Sequence, residues 1–440
     1  MKKWTLYSIY NLLGLMLFPF FMLFLVGACL RKPIYRKNIT QRFGCYPSDF
    51  FLKLRNKKVI WVHASSVGEV MMSRLFVQNL RKQYPNAGIM ISTMTPTGQA
   101  AAREYLAAYS DLFIYFPFDL NWIVPAVVQK ISPTLFIFME TEIWPNCLKT
   151  LAAKKIPTVM VNGRISNNSF PRYQKLKPFL VHALSDVALF LMQSAEDVQR
   201  IIALGAPPAQ VQECGNMKYD QAASSAASTN KMPTKATLAL SEDRPLMIAG
   251  STRPGEEEPI LEAYQNLRLS LPTLALLIAP RHLNRLEMLE KQLRDHGLVS
   301  IRKSQLSAPN RDAPLEHRPV ILLDTLGELN RLYALGDYIF IGGSLADFGG
   351  HNPLEPAAHK KPVFFGPHME NFRDIALALI ASGGGISVTD GKQLGQAMVA
   401  LAQNPEDYKK CAEAAYGIVL KHQGAVRRHL DRITNLMAKR

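Results

Sequence analysis

Cysteine is scarce. Five residues, at positions 29, 45, 147, 214 and 411, are scattered with no C-x-x-C pair. An odd, unclustered set argues against a disulfide framework and a zinc site, and it fits a reducing compartment. Acidic residues are short as well: 35 Asp and Glu against 51 Lys and Arg, a formal net charge of +16. That imbalance favours an anionic partner, whether nucleic acid, an anionic membrane or a phosphorylated substrate. No D-x-D triplet occurs anywhere. A bound nucleotide would then have its charge met by helix ends and Arg, not by a metal on paired aspartates. That suits a donor with one phosphate better than a diphosphate. The patterns G-x-x-x-x-G-K-[ST], H-E-x-x-H and G-x-S-x-G are missing too, so the chemistry those motifs carry is not signalled.

What is present begins with a long apolar run. Residues 4–30 contain no charge in 27 positions, and about 20 apolar residues suffice to span a bilayer core. Pro19 lies inside the run, which a membrane helix tolerates with a kink. Arg31, Lys32, Arg36, Lys37 and Arg42 follow, then Lys53, Arg55, Lys57 and Lys58, with Asp49 the one acid across 31–58. The positive-inside rule predicts an anchor at 1–30 and the bulk of the chain in the cytoplasm. The basic run is expected against an anionic membrane surface. A cleaved signal peptide is one alternative. A lipoprotein signal is another, because Val26-Gly27-Ala28-Cys29 loosely resembles a lipobox. Both need export, which Arg31 and Lys32 oppose.

An α/β rhythm occupies the rest. Apolar strands are expected at 58–63, 88–93, 112–116, 134–139, 157–162 and 187–192, with helical patterns between them, such as 70–83 and 97–108. Near-continuous apolar strands alternating with helices mean a parallel, doubly wound sheet. Residues 221–243, rich in Ala, Ser and Thr, read as a linker. The rhythm then restarts, with strands expected at 245–250, 274–279, 319–323, 337–342 and 362–366. The predicted organisation is one α/β lobe over 31–220 and a second over 244–440, with a cleft at their strand edges. The basic segment 408–437 reads as a helical, solvated face.

Five strand ends carry polar constellations. Ile341-Gly342-Gly343-Ser344 leads to Gly349-Gly350-His351-Asn352-Pro353-Leu354-Glu355. A strand feeding a glycine turn and a helix start presents backbone N–H groups to an anion. Asn352 is expected as N-cap, Pro353 in the first turn, and Glu355 in reach of a ribose. A plain strand-to-helix turn has the same pattern. Ser65-Ser66-Val67-Gly68-Glu69 puts a carboxylate at a turn, as a helix-start residue or as a base. Glu140 and Glu142 straddle a strand end beside Trp144, and Glu140 in apolar surroundings needs a partner. Ser251-Thr252-Arg253 resembles a phosphate-facing turn. Arg281, after Pro280, is placed to clamp a phosphate or carboxylate, or to cap.

With those residues in view, the sequence resembles the 3-deoxy-D-manno-octulosonic acid (Kdo) transferases of lipopolysaccharide synthesis. The resemblance covers nearly the whole chain. It rests on Ser66-Val67-Gly68-Glu69, Thr93-Met94-Thr95-Pro96-Thr97-Gly98, Met139-Glu140-Thr141-Glu142-Ile143-Trp144-Pro145, Gly215-Asn216-Met217-Lys218-Tyr219-Asp220, Pro280-Arg281-His282, Asp324-Thr325-Leu326-Gly327-Glu328-Leu329 and Gly349 to Glu355. It implies a GT-B fold of two Rossmann-like lobes, the first taking the acceptor and the second the nucleotide donor. It implies CMP-Kdo as donor, a lipid A precursor as acceptor, no cofactor, no metal and no nucleic acid. It implies the inner membrane's cytoplasmic face as location. Glu69 would be the catalytic base and Glu140 would line the same site. Ser251 is a further donor-site candidate from the turn pattern. The CMP contacts implied are Pro280, Arg281, Leu326, Gly327, Glu328, Asn352, Pro353, Leu354 and Glu355. One departure stands out: where many members have G-E-R-[YF]-G, this chain has Thr40-Gln41-Arg42-Phe43-Gly44. A GT-B transferase using a UDP-sugar and another lipid acceptor is the alternative enzyme. A lipid-anchored solute-binding protein is the alternative without catalysis.

Overall fold

In a computed structural model, the structure describes residues 3–227, 232–306 and 319–438. The chain forms two compact units. One comprises Met1–Met217 with Gly424–Arg440, the other Lys218–Gln423.

The first unit is built on β1 (Val59–His63), β2 (Gly88–Thr93), β3 (Leu112–Tyr115), β4 (Leu135–Met139), β5 (Thr158–Gly163), β6 (Leu189–Met192) and β7 (Val211–Glu213), in the order β3-β2-β1-β4-β5-β6-β7. All pairs are parallel. Side chains alternate across the sheet. Ile60, Val62, Ile89 and Ile91 enter one core, while Trp61, Met90, Phe136 and Phe138 enter the other. Burying each such side chain contributes about 1.5–3 kcal/mol. The order reverses between β1 and β4, and loops after these strands meet at that switch point.

The second unit is built on β8 (Leu246–Thr252), β9 (Ala275–Pro280), β10 (Ser300–Arg302), β11 (Val320–Leu322), β12 (Tyr338–Ile341), β13 (Val363–Phe365) and β14 (Gly385–Ser387). Its order is β10-β11-β9-β8-β12-β13-β14, again parallel throughout. Here the switch point lies between β8 and β12.

Each strand expected from the sequence is present. The three that sequence reading misses, β7, β10 and β14, are three-residue edge strands with partly exposed side chains. The segment read as a linker is partly structured. Met217–Ala226 is a helix, and Tyr219, Ala222, Leu238 and Leu240 join the second unit's core. Alanines suffice for a helix whose one face is buried. Residues 228–231 of that segment lie outside the described residues.

The expected C-terminal helix is two helices, Pro405–His422 and Ala425–Ala438, broken at Gly424 with φ 88°. The last one packs on the first unit through Ala425, Val426, Leu430 and Ile433. Its charge run is mostly solvated, but Arg428 donates from Nε to Cys214 O at 2.9 Å.

One basic residue of 31–58 is not placed for the expected headgroup contact. Arg42 is buried rather than facing headgroups, donating to Met94 O with its guanidinium 4.5 Å above the Tyr115 ring. Gln41, also buried, accepts the Tyr115 N–H at 3.1 Å. An amide oxygen serves there as well as a carboxylate.

Candidate active site

Ser66 caps the Val67–Gln83 helix, its Oγ accepting the Glu69 N–H at 3.4 Å. Glu69 reaches back, accepting the Ser65 N–H at 2.8 Å and the Ser66 hydroxyl at 3.2 Å. This reciprocal arrangement is close to a capping box. Glu69 is nonetheless half-buried, and burial pushes its carboxyl up to about 8. The Ser65 bond opposes that rise, and the charges of Glu142 and Glu140 add to it. So the helix-start role and an unusual titration coexist in one side chain.

Glu140, directly after β4, has φ 51°, a left-handed conformation rare for a non-glycine residue. Backbone strain of this kind costs about 1–3 kcal/mol and clusters at functional sites. It turns the chain so that Glu142 follows within two residues. Glu142 accepts the Trp144 indole N–H at 3.1 Å and lies 3.6 Å from His63 Nε2, an ion-pair distance. Burial works to raise the Glu142 carboxyl, yet His63, Trp144 and Ser65 hold it below the usual carboxylate range.

His63 sits at the end of a buried polar chain that the sequence does not signal. Trp61 Nε1 donates to Ser92 Oγ at 2.7 Å, and Ser92 Oγ is 3.0 Å from His63 Nδ1. Nδ1 also lies 3.1 Å from Ser92 O, and Nε2 is the ring nitrogen on the Glu142 side.

The loop after β2 closes the same region. Met94 N donates to Ser65 O at 2.9 Å. A Cβ at Gly98 would stand 3.3 Å from Ser65 O, so a larger residue would push these loops apart.

In the second unit, β11, β9, β8 and β12 are neighbours, so the loops after them leave one sheet edge. The loop after β8 brings Arg253, whose Nη1 is 2.8 Å from His282 Nε2. Ser251, next to last in β8, has φ 59°. Pro280 is buried, while Arg281 and His282 after it are exposed. His351 lies beneath this cationic group. Its imidazolium is pushed down to about 4 by burial, then by Arg281, Arg253 and His282. A neutral imidazole is therefore the form at pH 7.

Asn352 Oδ1 accepts the Leu354 N–H at 3.1 Å, and its Nδ2 donates to Glu355 Oε1 at 3.3 Å. The helix itself starts one residue later than the sequence suggests, at Leu354–Ala358, with Pro353 as cap. Burial raises the Glu355 carboxyl to about 7 against the opposing Asn352 bond and Arg281 charge. Glu328 pairs with Lys303 at 2.7 Å and accepts from Thr325. Leu326 beside it is exposed, and Gly327 has φ 80°.

The glycine turn after β12 differs from expectation. Its N–H groups already have an anion: Glu256, fully buried, accepts from Gly343 at 2.7 Å and from Ser344 and Leu345 at 2.9 Å. A five-residue helix also brings little dipole. Positive cover at this edge therefore comes from side chains, Arg281 and Arg253. Sequence reasoning assigns no role of their own to His282, His351 or His63. Arg253, His282 and His351 lie in turns it does single out, which is the available signal.

One cluster among the described residues has metal-ligand spacing. Atoms of Asp347, His368 and Glu370 lie within 4.8 Å of one another, with Asp347 and Glu370 exposed.

The chain is similar to known proteins. The family described as 3-deoxy-D-manno-octulosonic-acid transferase (kdotransferase) matches residues 37–221. A 3-deoxy-D-manno-octulosonic acid transferase of Haemophilus influenzae is 35% identical over 430 residues, covering 96% of each chain. The chain belongs to the Kdo transferase family. A transferase of the same description from Bordetella pertussis is 31% identical, covering 84% of this chain and 86% of its own. Among solved structures, the UDP-GlcNAc 2-epimerase of Neisseria meningitidis, bound to UDP-GlcNAc, aligns with a TM-score of 0.61 at 13% identity. It covers 86% of this chain and 99% of its own. At that identity the likeness shows the fold alone, which is GT-B. As a member of the Kdo transferase family, the chain is a glycosyltransferase, and Glu69 and Glu140 lie in its first unit with the arginine-rich edge in its second.

Proposed function

We propose that this Kdo transferase moves Kdo from CMP-Kdo to a lipid A precursor, with inversion at the anomeric carbon and without a metal. The observation that carries the reading is family membership over 96% of the chain, together with a half-buried, raised carboxyl at Glu69. Glu69 accepts the proton of a glucosamine hydroxyl as that oxygen attacks the anomeric carbon of Kdo. The bond from that carbon to the CMP phosphate breaks, and CMP leaves as a phosphate monoester. That leaving group needs electrostatic cover, which Arg281 and Arg253 supply. Glu140 lines the acceptor side, and Glu142 sets the charge around Glu69. On the donor side, Pro280, Leu326, Gly327 and Glu328 frame the nucleotide, with Ser251 and Asn352 to Glu355 completing the edge.

The apolar run forms a helix, Lys3–Arg31, long and apolar enough to cross a membrane. It anchors the protein at the cytoplasmic face of the inner membrane, where a lipid A precursor is reached from an anionic surface. Exposed Arg36 and Lys37 serve that contact, and buried Arg42 does not.

Nucleotide binding tests the donor. CMP raises the melting temperature of the purified protein, UDP does not, and Arg281→Ala removes most of the CMP effect. Stabilisation by UDP and not by CMP overturns the CMP-Kdo reading in favour of a UDP-sugar donor.

A further inference from the structure

The Lys3–Arg31 helix does not stand clear of the first unit. A stripe at spacings of three and four runs down its inner side. Tyr7 OH lies 3.4 Å from both Pro145 O and Asp186 Oδ2. Tyr10 OH donates to Asp119 Oδ2 at 3.0 Å, and Asn146 Nδ2 donates to Asn11 Oδ1 at 2.8 Å. A Cβ at Gly14 would lie 3.8 Å from Leu120. Further along, the Phe18 ring meets Trp122 at 6.0 Å and the Phe21 ring meets Phe118 at 5.0 Å.

The outer side is the reverse of a water-facing helix. Leu12, Leu13, Leu15, Met16, Leu17 and Phe20 are exposed, and the exposed apolar face continues through Leu23, Phe24 and Val26. The tyrosines and the asparagine face the protein, and hydrocarbon faces out. Such a face calls for lipid as its surroundings.

Length decides how that lipid is met. From Tyr7 to Phe21 about 21 Å of helix, at roughly 1.5 Å per residue, is fastened to the folded unit. Beyond Phe21, ten residues remain to Arg31, about 15 Å, half of a hydrocarbon core of roughly 30 Å. Crossing with the contacts kept would drag Asp119 and Asp186 into hydrocarbon, where charge is strongly disfavoured.

Charge at the two ends points the same way. Exposed Arg31, Lys32, Arg36 and Lys37 follow the C-terminal end. At the other end, the Phe179 ring packs on Tyr7 and Tyr10 at 5.7 and 5.3 Å. Exposed Lys175 and Lys177 flank exposed Leu176 just before it. Basic side chains at both ends, with exposed Trp122 alongside, fit one anionic headgroup layer.

We infer that this helix is a rib fixed to the first unit, its outer face sunk in a single leaflet of an anionic bilayer and both its ends on one side. The inference rests on the membrane reading above and replaces a spanning anchor with a one-sided one.

Sided labelling tests it on the full chain in cells, in a Cys29→Ser, Cys45→Ser background. Thr5→Cys and Lys32→Cys are each exposed to a membrane-impermeant maleimide before and after lysis of spheroplasts. Both are expected to stay unlabelled in intact spheroplasts and to react after lysis. In a separate variant carrying Gly14→Cys with Leu120→Cys, a short bifunctional thiol reagent applied to isolated membranes is expected to cross-link the pair. Labelling of Thr5→Cys from outside while Lys32→Cys is protected, or absence of the cross-link, overturns the rib. Recovery of the protein wholly in the soluble fraction would instead defeat the membrane reading itself.

Discussion

Glu69 caps a helix and is proposed as the base, and the two roles can be separated. As a cap its oxygen accepts the Ser65 N–H, which a glutamine oxygen does equally well. Glu69→Gln is therefore expected to fold normally and to lower the transfer rate by about 10²–10⁴-fold, the usual contribution of a positioned base. Its carboxyl, pushed up to about 8, is mostly protonated at pH 7, so wild-type kcat/KM should climb as pH rises and level off above about 8. Glu142→Gln removes a negative charge facing Glu69, leaving Glu140 with the Ser65 and Ser66 bonds. The rising limb should then move to lower pH, and an unmoved limb would show that Glu142 does not set it. Glu69 was legible in the sequence because Ser66-Val67-Gly68-Glu69 is a local pattern. The Trp61–Ser92–His63 chain was not. His63 reads as the last residue of an apolar strand, and its partner Ser92 arrives from a neighbouring strand.

Elements of this chain are set by close approaches as much as by propensity. A Cβ at Gly250 would stand 1.9 Å from the Tyr333 hydroxyl, and Tyr333 is buried. Gly250→Ala is expected to destabilise the second unit by about 1–3 kcal/mol, as overpacking does, and to weaken CMP binding. Thermal melts with and without CMP check this. The C-terminal helix is pinned by His429, whose Nε2 accepts the Asn162 N–H at 3.1 Å while Nδ1 faces Ala425 O at 2.7 Å. Burial drives its imidazolium down to about 4, below the ordinary value of about 6.5. The unfolded chain therefore binds the proton first, so stability is full above about 6.5 and falls as pH drops toward 4. The loss amounts to on the order of 3 kcal/mol at about 1.4 kcal/mol per unit. His429→Gln should flatten the fall in melting temperature between pH 7 and pH 5; an unchanged slope contradicts it. Apolar runs made the long inner strands legible. The edge strands escaped because three half-exposed residues leave no apolar run.

At the scale of the molecule, the proposed chemistry divides by unit: a carboxylate edge in the first and an arginine edge in the second. Family membership was legible because motifs at both edges survive in one order along the chain. The satisfied glycine turn was not, since Glu256 reaches it from 87 residues away. With CMP as leaving group and arginines as its cover, full activity is expected after exhaustive dialysis against a chelator. A loss restored by added divalent cation would implicate a metal, and Asp347, His368 and Glu370 would be the first positions to vary. The most direct test of the account is mass spectrometry of the lipid recovered after incubating the purified protein with CMP-Kdo and a lipid A precursor. A product heavier by one or more Kdo residues is expected, formed by wild type and lost in Glu69→Gln. An unmodified acceptor with wild-type protein, or undiminished product with Glu69→Gln, would contradict it.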